Sequence, residues 1–152
     1  MPEVSCTLAV DAPAAVVYEA AKDVEGLAVF IEAIESITVD QREVVDGGLQ
    51  TVTSWVGLLP EFRRTIKWTE RDIWRDADLR CDFTLVKGDL DAYEGEWTFA
   101  PDGQSGSTTS LVVRYEYDVP LVGALIRGLV LKKMQQSVDA IQAGLKRRAE
   151  GG

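Results

Sequence analysis

Apolar and polar positions alternate along most of this chain, and its elements begin and end where the alternation changes period. Val4, Cys6, Leu8 and Val10 alternate with Ser5, Thr7 and Ala9, the pattern of a strand with one buried face. Asp11 offers an N-cap to a helix over residues 12–21, with Pro13 in the first turn and Val16, Val17 and Ala20 forming a short apolar stripe. A second short helix is predicted over residues 24–33, interrupted near Gly26. The period then returns to two. Ile37 and Val39 mark a second strand running towards Val44 and Val45, Asp46-Gly47-Gly48 has the chemistry of a hairpin turn, and residues 49–58 resume the alternation. Pro60 ends this third strand because it has no N–H to give to a ladder.

Four more strands follow. Phe62, Arg64, Ile66 and Trp68 share one face of the fourth, opposite Arg63, Thr65, Lys67 and Thr69. After a turn at residues 75–78, Leu79, Cys81, Phe83 and Leu85 give the apolar face of the fifth; Gly88-Asp89 turns the chain into the sixth, with Tyr93, Gly95, Trp97 and Phe99 on one face. Residues 101–107 form a polar, glycine-rich loop, and Leu111, Val113, Tyr115 and Tyr117 belong to the seventh strand. Pro120 opens one long helix over residues 121–148, with Val122, Ile126, Leu129, Val130, Met134, Val138, Ile141 and Leu145 as its stripe. Seven antiparallel strands, with two short helices after the first and one long helix after the last, predict an α+β domain. Its sheet curls around the terminal helix, and one domain spans residues 1–152.

A seven-stranded sheet is wider than one helix can cover, so an apolar hollow is expected between them. Its predicted lining is Phe62, Ile66, Trp68, Phe83, Tyr93, Trp97 and Tyr115 from the sheet, with Ile126, Val130 and Met134 from the helix. Arg64 shares the face of Phe62 and Ile66, so it either pairs with an inward carboxylate such as Glu70 or waits for a polar group of a ligand; a register slip of one residue would turn it outward. Tyr93 and Tyr115 could donate to the same ligand. If the protein's own side chains fill the hollow, with Trp68 and Trp97 touching the terminal helix, this expectation fails.

Composition narrows the chemistry. The chain has no histidine, which removes Ser-His-Asp and Cys-His catalysis and metal sites built on imidazole. Two cysteines, Cys6 and Cys81, are too few for a disulfide framework or a cysteine-built zinc site, and both fall on apolar strand faces. The acidic run Asp89, Asp91, Glu94, Glu96 lacks calcium-loop spacing, and no dinucleotide fingerprint or phosphate-cradling glycine loop is present, so neither metal nor cofactor is expected. A net charge of −9 argues against nucleic acid as a partner. Six basic and two acidic residues within 121–152 nonetheless give that segment +4. Those cations either complement the helix dipole or form a weak docking face for an acidic partner or a membrane surface. The absence of a spanning apolar run and of a secretory pattern leads to the expectation of a cytoplasmic protein, monomeric or homodimeric.

Three stretches carry a family likeness: Val10-Asp11-Ala12-Pro13 with Val16-Val17-Tyr18 and Asp23-Val24-Glu25; Gly95-Glu96-Trp97-Thr98-Phe99; and Tyr117-Asp118-Val119-Pro120 before the last helix. In their order and spacing the chain resembles the START-like superfamily of helix-grip proteins, in its polyketide cyclase and coenzyme Q-binding branch. The resemblance implies a β-α-α-β-β-β-β-β-β-α topology with a hydrophobic cavity beneath the last helix. Its members bind lipids, quinones, polyketides or hormones, and some catalyse cyclisation or dehydration. Where many relatives carry a Trp-Pro pair in the second helix, this chain has Leu27-Ala28-Val29-Phe30. No catalytic residue carries over, because the matching motifs are structural. In that topology Cys6 and Cys81 stand three strands apart, roughly 14 Å, too far for a disulfide.

The expected function is a carrier or binding protein for a hydrophobic small molecule, a quinone, lipid or polyketide. One alternative is a cyclase or dehydratase in which Arg64 polarises a carbonyl and Tyr93, Tyr115 or Glu70 exchanges protons. Another is a protein-interaction module using the basic terminal helix.

Overall fold

The computed structural model describes residues 1–59, 63–117 and 124–151, with the side chains of residues 59 and 124–126 left aside. Strand β1 (Glu3–Val10) leads into helices α1 (Ala14–Lys22) and α2 (Val24–Ala28). Strands β2 (Ile34–Val45), β3 (Gly48–Leu59), β4 (Arg64–Arg75), β5 (Arg80–Gly88), β6 (Ala92–Pro101) and β7 (Ser107–Glu116) follow, and α3 (Ala124–Ala149) closes the order. All strands join one antiparallel sheet in the order β1-β7-β6-β5-β4-β3-β2, the helix-grip arrangement.

Alternation builds most of this sheet. In β6 and β7 every second residue is buried as far as Phe99 and Tyr115, so one face supplies the core. Gly95 is part of that face for want of a side chain: a Cβ there would meet the Phe83 ring at 2.6 Å and the Val112 carbonyl oxygen at 2.0 Å. Strand β4 runs well past the alternation read at residues 62–69. Its inward positions after Trp68 are Glu70, Asp72 and Trp74, and charged residues on a buried face mask the strand signal. A register shift between Thr69 and Glu70 passes over Val86 on β5, which is exposed.

The first helix differs from expectation at its start. Pro13, not Asp11, occupies the N-cap with φ −60°, and no side chain caps it. The Asp11 backbone N–H instead donates to Glu150 Oε2 at 2.8 Å, so the far end of the chain ties down this corner. α2 is shorter than the predicted 24–33 segment; Asp23 accepts from the Gly26 N–H at its start.

Helix α3, about 39 Å long at 1.5 Å per residue, packs on β1, β7, α1 and α2. Val138, Ile141 and Leu145 are buried among them. Its terminal cations serve the protein itself: Lys146 Nζ donates to Ala9 O at 2.9 Å, Arg147 to Phe30 O, and Arg148 Nη1 to Ala20 O and Asp23 O at 3.1 and 2.7 Å. At the other end Arg127, Leu129, Leu131 and Lys132 are exposed, while Val130 and Met134 pack partly buried against the core. No helix among the described residues is long and apolar enough to cross a membrane.

Candidate ligand-binding site

The inward faces of β3 and β4 place polar groups among rings. Thr51 and Thr53 sit beside Asp72 and Glu70, and both threonine hydroxyls donate to Asp72 Oδ2, at 3.1 and 2.7 Å. Trp55 Nε1 donates to Thr53 Oγ1 at 2.9 Å and Trp68 Nε1 to Glu70 Oε1 at 2.8 Å. Glu70 and Asp72 are hydrogen-bonded to each other and both buried. Their described partners are neutral groups; no cation joins them.

Burial pushes the Glu70 carboxyl well above the usual range, and the neighbouring Asp72 charge pushes it further; the Trp68 N–H opposes. Burial also raises Asp72, against the hydrogen bonds from Glu70, Thr53 and Thr51 that favour its carboxylate. Both carboxyls are thus pushed up, Glu70 further, so Glu70 holds a proton more readily than Asp72, since two adjoining carboxylates in a dry site ionise together only at high cost.

The pair borders a cavity of about 20 Å3, walled also by Val24, Trp55, Trp74, Cys81, Phe83, Tyr93, Trp97, Leu111 and Ile141. Among the lining residues, Tyr93 and Trp74 carry a hydroxyl and an indole N–H with no hydrogen-bond partner among the described residues, whereas the fully enclosed side-chain oxygens left without one are Ser107 Oγ and Thr109 Oγ1. Burial raises the Tyr93 phenol well above its usual value, and the charges of Glu70 and Asp72 raise it further. The rings interlock: Trp55 stacks on Trp68 at 5.6 Å, Tyr93 touches Trp68 and Phe83 at 5.5 Å each, and Trp97 lies 6.1 Å from Trp74.

The space enclosed by these described residues is small; 20 Å3 holds about one water. Trp97 reaches α3, donating from Nε1 to Gln142 Oε1 at 2.9 Å, whereas Trp68 packs on Trp55 and Tyr93. One of the two contacts that would defeat the hollow is thus present. Of the predicted lining residues, Phe83, Tyr93 and Trp97 border the cavity. Ile66, Trp68 and Tyr115 are buried elsewhere on the same core, and Val130 and Met134 pack at its margin. Phe62 and the Ile126 side chain lie outside the described residues.

Arg64 is a correction. It is exposed at the first residue of β4, where sharing a face with Ile66 brings no burial, and Glu70 is engaged by Trp68 and Asp72 instead. The sequence reading also missed Asp72, Trp74 and Gln142. A period of two carried through Trp68, Glu70, Asp72 and Trp74 would have found the first two. Glu94 and Glu96 of the acidic run pair with Arg114 at 3.5 and 2.7 Å.

The profile of the family described as polyketide cyclase / dehydrase and lipid transport matches residues 10–142. The chain belongs to this family. Among solved structures, the family member is similar to TTHA0849 of Thermus thermophilus, with 37% identity over 97% of each chain and a TM-score of 0.90. It shares its fold with the Zhui aromatase/cyclase of Streptomyces sp. R1128, at 17% identity, 98% and 96% coverage and a TM-score of 0.75. A START superfamily protein of Mycobacterium smegmatis, at 17% identity over 97% of each chain, gives a TM-score of 0.74. No curated protein matches.

Proposed function

We propose that this family member is a binding or carrier protein for a hydrophobic small molecule, a quinone, lipid or polyketide, held between the sheet and α3. The observation that carries the reading is a ring-walled cavity whose lining includes Tyr93 and Trp74, each with a donor that has no partner among the described residues. A ligand oxygen would give these donors the acceptor that the described residues do not. The family's description, which includes lipid transport, supports the same reading. A cytoplasmic location belongs with it, in keeping with two free thiols.

A second reading is favoured by one observation, the buried neighbouring carboxyls Glu70 and Asp72, of which Glu70 is pushed further up. An acid beside a base in a dry cavity can serve a cyclase or dehydratase without histidine, with Tyr93 and Trp74 polarising the carbonyl in place of the exposed Arg64. A docking role for the basic helix has less to draw on, since Lys146, Arg147 and Arg148 are engaged internally.

Native mass spectrometry of the protein isolated from its own host tests the choice. An apolar compound recovered unchanged supports the carrier; its conversion on incubation supports the enzyme. Protein that emerges empty, with a melting temperature unmoved by quinones, lipids or aromatic ketones, sinks both.

A further inference from the structure

We infer that Tyr93, Trp74, Glu70 and Asp72 form a specificity site for the polar end of the ligand, one that takes an uncharged carbonyl or hydroxyl oxygen and rejects a carboxylate. The inference rests on the ligand-binding reading above and narrows it, removing free fatty acids and other organic anions from the candidates.

Two features point the same way. Two lining residues, Tyr93 and Trp74, each carry a donor, an O–H and an N–H, with no partner among the described residues, and donors call for an oxygen acceptor. An anion would satisfy them equally well, but the same wall carries the Glu70–Asp72 pair, which holds negative charge and has only neutral partners. No lysine or arginine borders the cavity. The nearby cations are committed elsewhere: Arg75 and Arg80 to Asp82, and Lys22 to Asp76. A carboxylate entering this space would meet like charge at short range in a medium that screens poorly, which costs several times what it would in water. A ketone or phenol oxygen accepts the two hydrogen bonds without that repulsion.

An isosteric series separates these terms by calorimetric titration at neutral pH: 2-acetylnaphthalene, 2-naphthoate and 2-naphthylmethylammonium. The expected result is binding of the ketone, with naphthoate weaker by at least ~10-fold, a difference of about 1.4 kcal/mol. In Glu70→Gln/Asp72→Asn, which makes the pair neutral, naphthoate should gain on the ketone and the gap should close. Tyr93→Phe keeps the ring and removes one donor, so it should weaken the ketone severalfold, and it remains informative if the double variant fails to fold. Naphthoate binding as tightly as the ketone overturns the inference, and so does an ammonium that binds more tightly than either. Failure of all three probes to bind, or to shift the melting temperature, overturns the ligand-binding reading on which it stands.

Discussion

A buried amide is tolerated only when its polar atoms find partners, and Gln142 meets that condition at 0% exposure. Its Oε1 accepts from Trp97, while Nε2 donates to Cys6 O at 3.0 Å and Thr109 O at 3.1 Å, so one side chain bolts α3 to β1, β6 and β7. Replacing it by leucine strands a buried N–H and two carbonyls; Gln142→Leu should lose about 3 kcal/mol of stability in urea denaturation, and a loss below a few tenths would deny the bolt its role. Glu70 sets a second residue-scale expectation. Its folded pKa lies above its ordinary value, so the native state keeps a proton that the unfolded chain releases. That contribution is complete below the ordinary carboxylate range and is lost as pH rises through the folded value. Asp23, Asp76 and Glu96 are lowered by their partners, and their contributions are lost in the opposite direction, as pH falls below the ordinary range. Glu70→Gln should therefore flatten the fall in melting temperature as pH rises above the ordinary carboxylate range, while leaving the acid limb in place. An unchanged alkaline slope counts against a raised Glu70.

Among the elements, α3 makes its closest approach at Gly144, where an added Cβ would lie 2.6 Å from the Phe30 carbonyl oxygen. Backbone cannot yield as a flexible side chain can, so Gly144→Ala should destabilise by about 2 kcal/mol despite alanine's better helix propensity. Thermal unfolding reads this directly, and a stabilised variant would place the helix farther from that loop. Strand β4 teaches a different lesson. Its first half was legible because Ile66 and Trp68 alternate with polar neighbours, but its second half puts Glu70 and Asp72 on the buried face. Pattern reasoning treats charge as exposed, and here two carboxyls stay inside, both pushed up by burial. At Arg64 alternation pointed inward instead, with Ile66, but the residue opens the strand and is exposed.

For the whole molecule, strand order is the testable quantity. β1 and β5 are separated by β7 and β6, which puts Cys6 and Cys81 roughly 14 Å apart at 4.8 Å per strand. Mild oxidation should leave the intact mass free of an internal disulfide, and finding that bond would refute the order of the sheet. Of the six cations behind the +4 of the terminal segment, Lys146, Arg147 and Arg148 direct their donors to carbonyls of β1, α1 and the segments around α2.

The local pattern of apolar positions fixed the seven strands, the three helices and the antiparallel connectivity, because side-chain period and turn chemistry are properties of adjacent residues. It also named Phe83, Tyr93 and Trp97 as wall residues. Whether the space among them stays open depends on how rings from β3, β4, β5 and β6 interlock, and which donors are left without partners depends on what crosses from other strands. Those are relations between residues far apart in sequence, and only the folded molecule decides them.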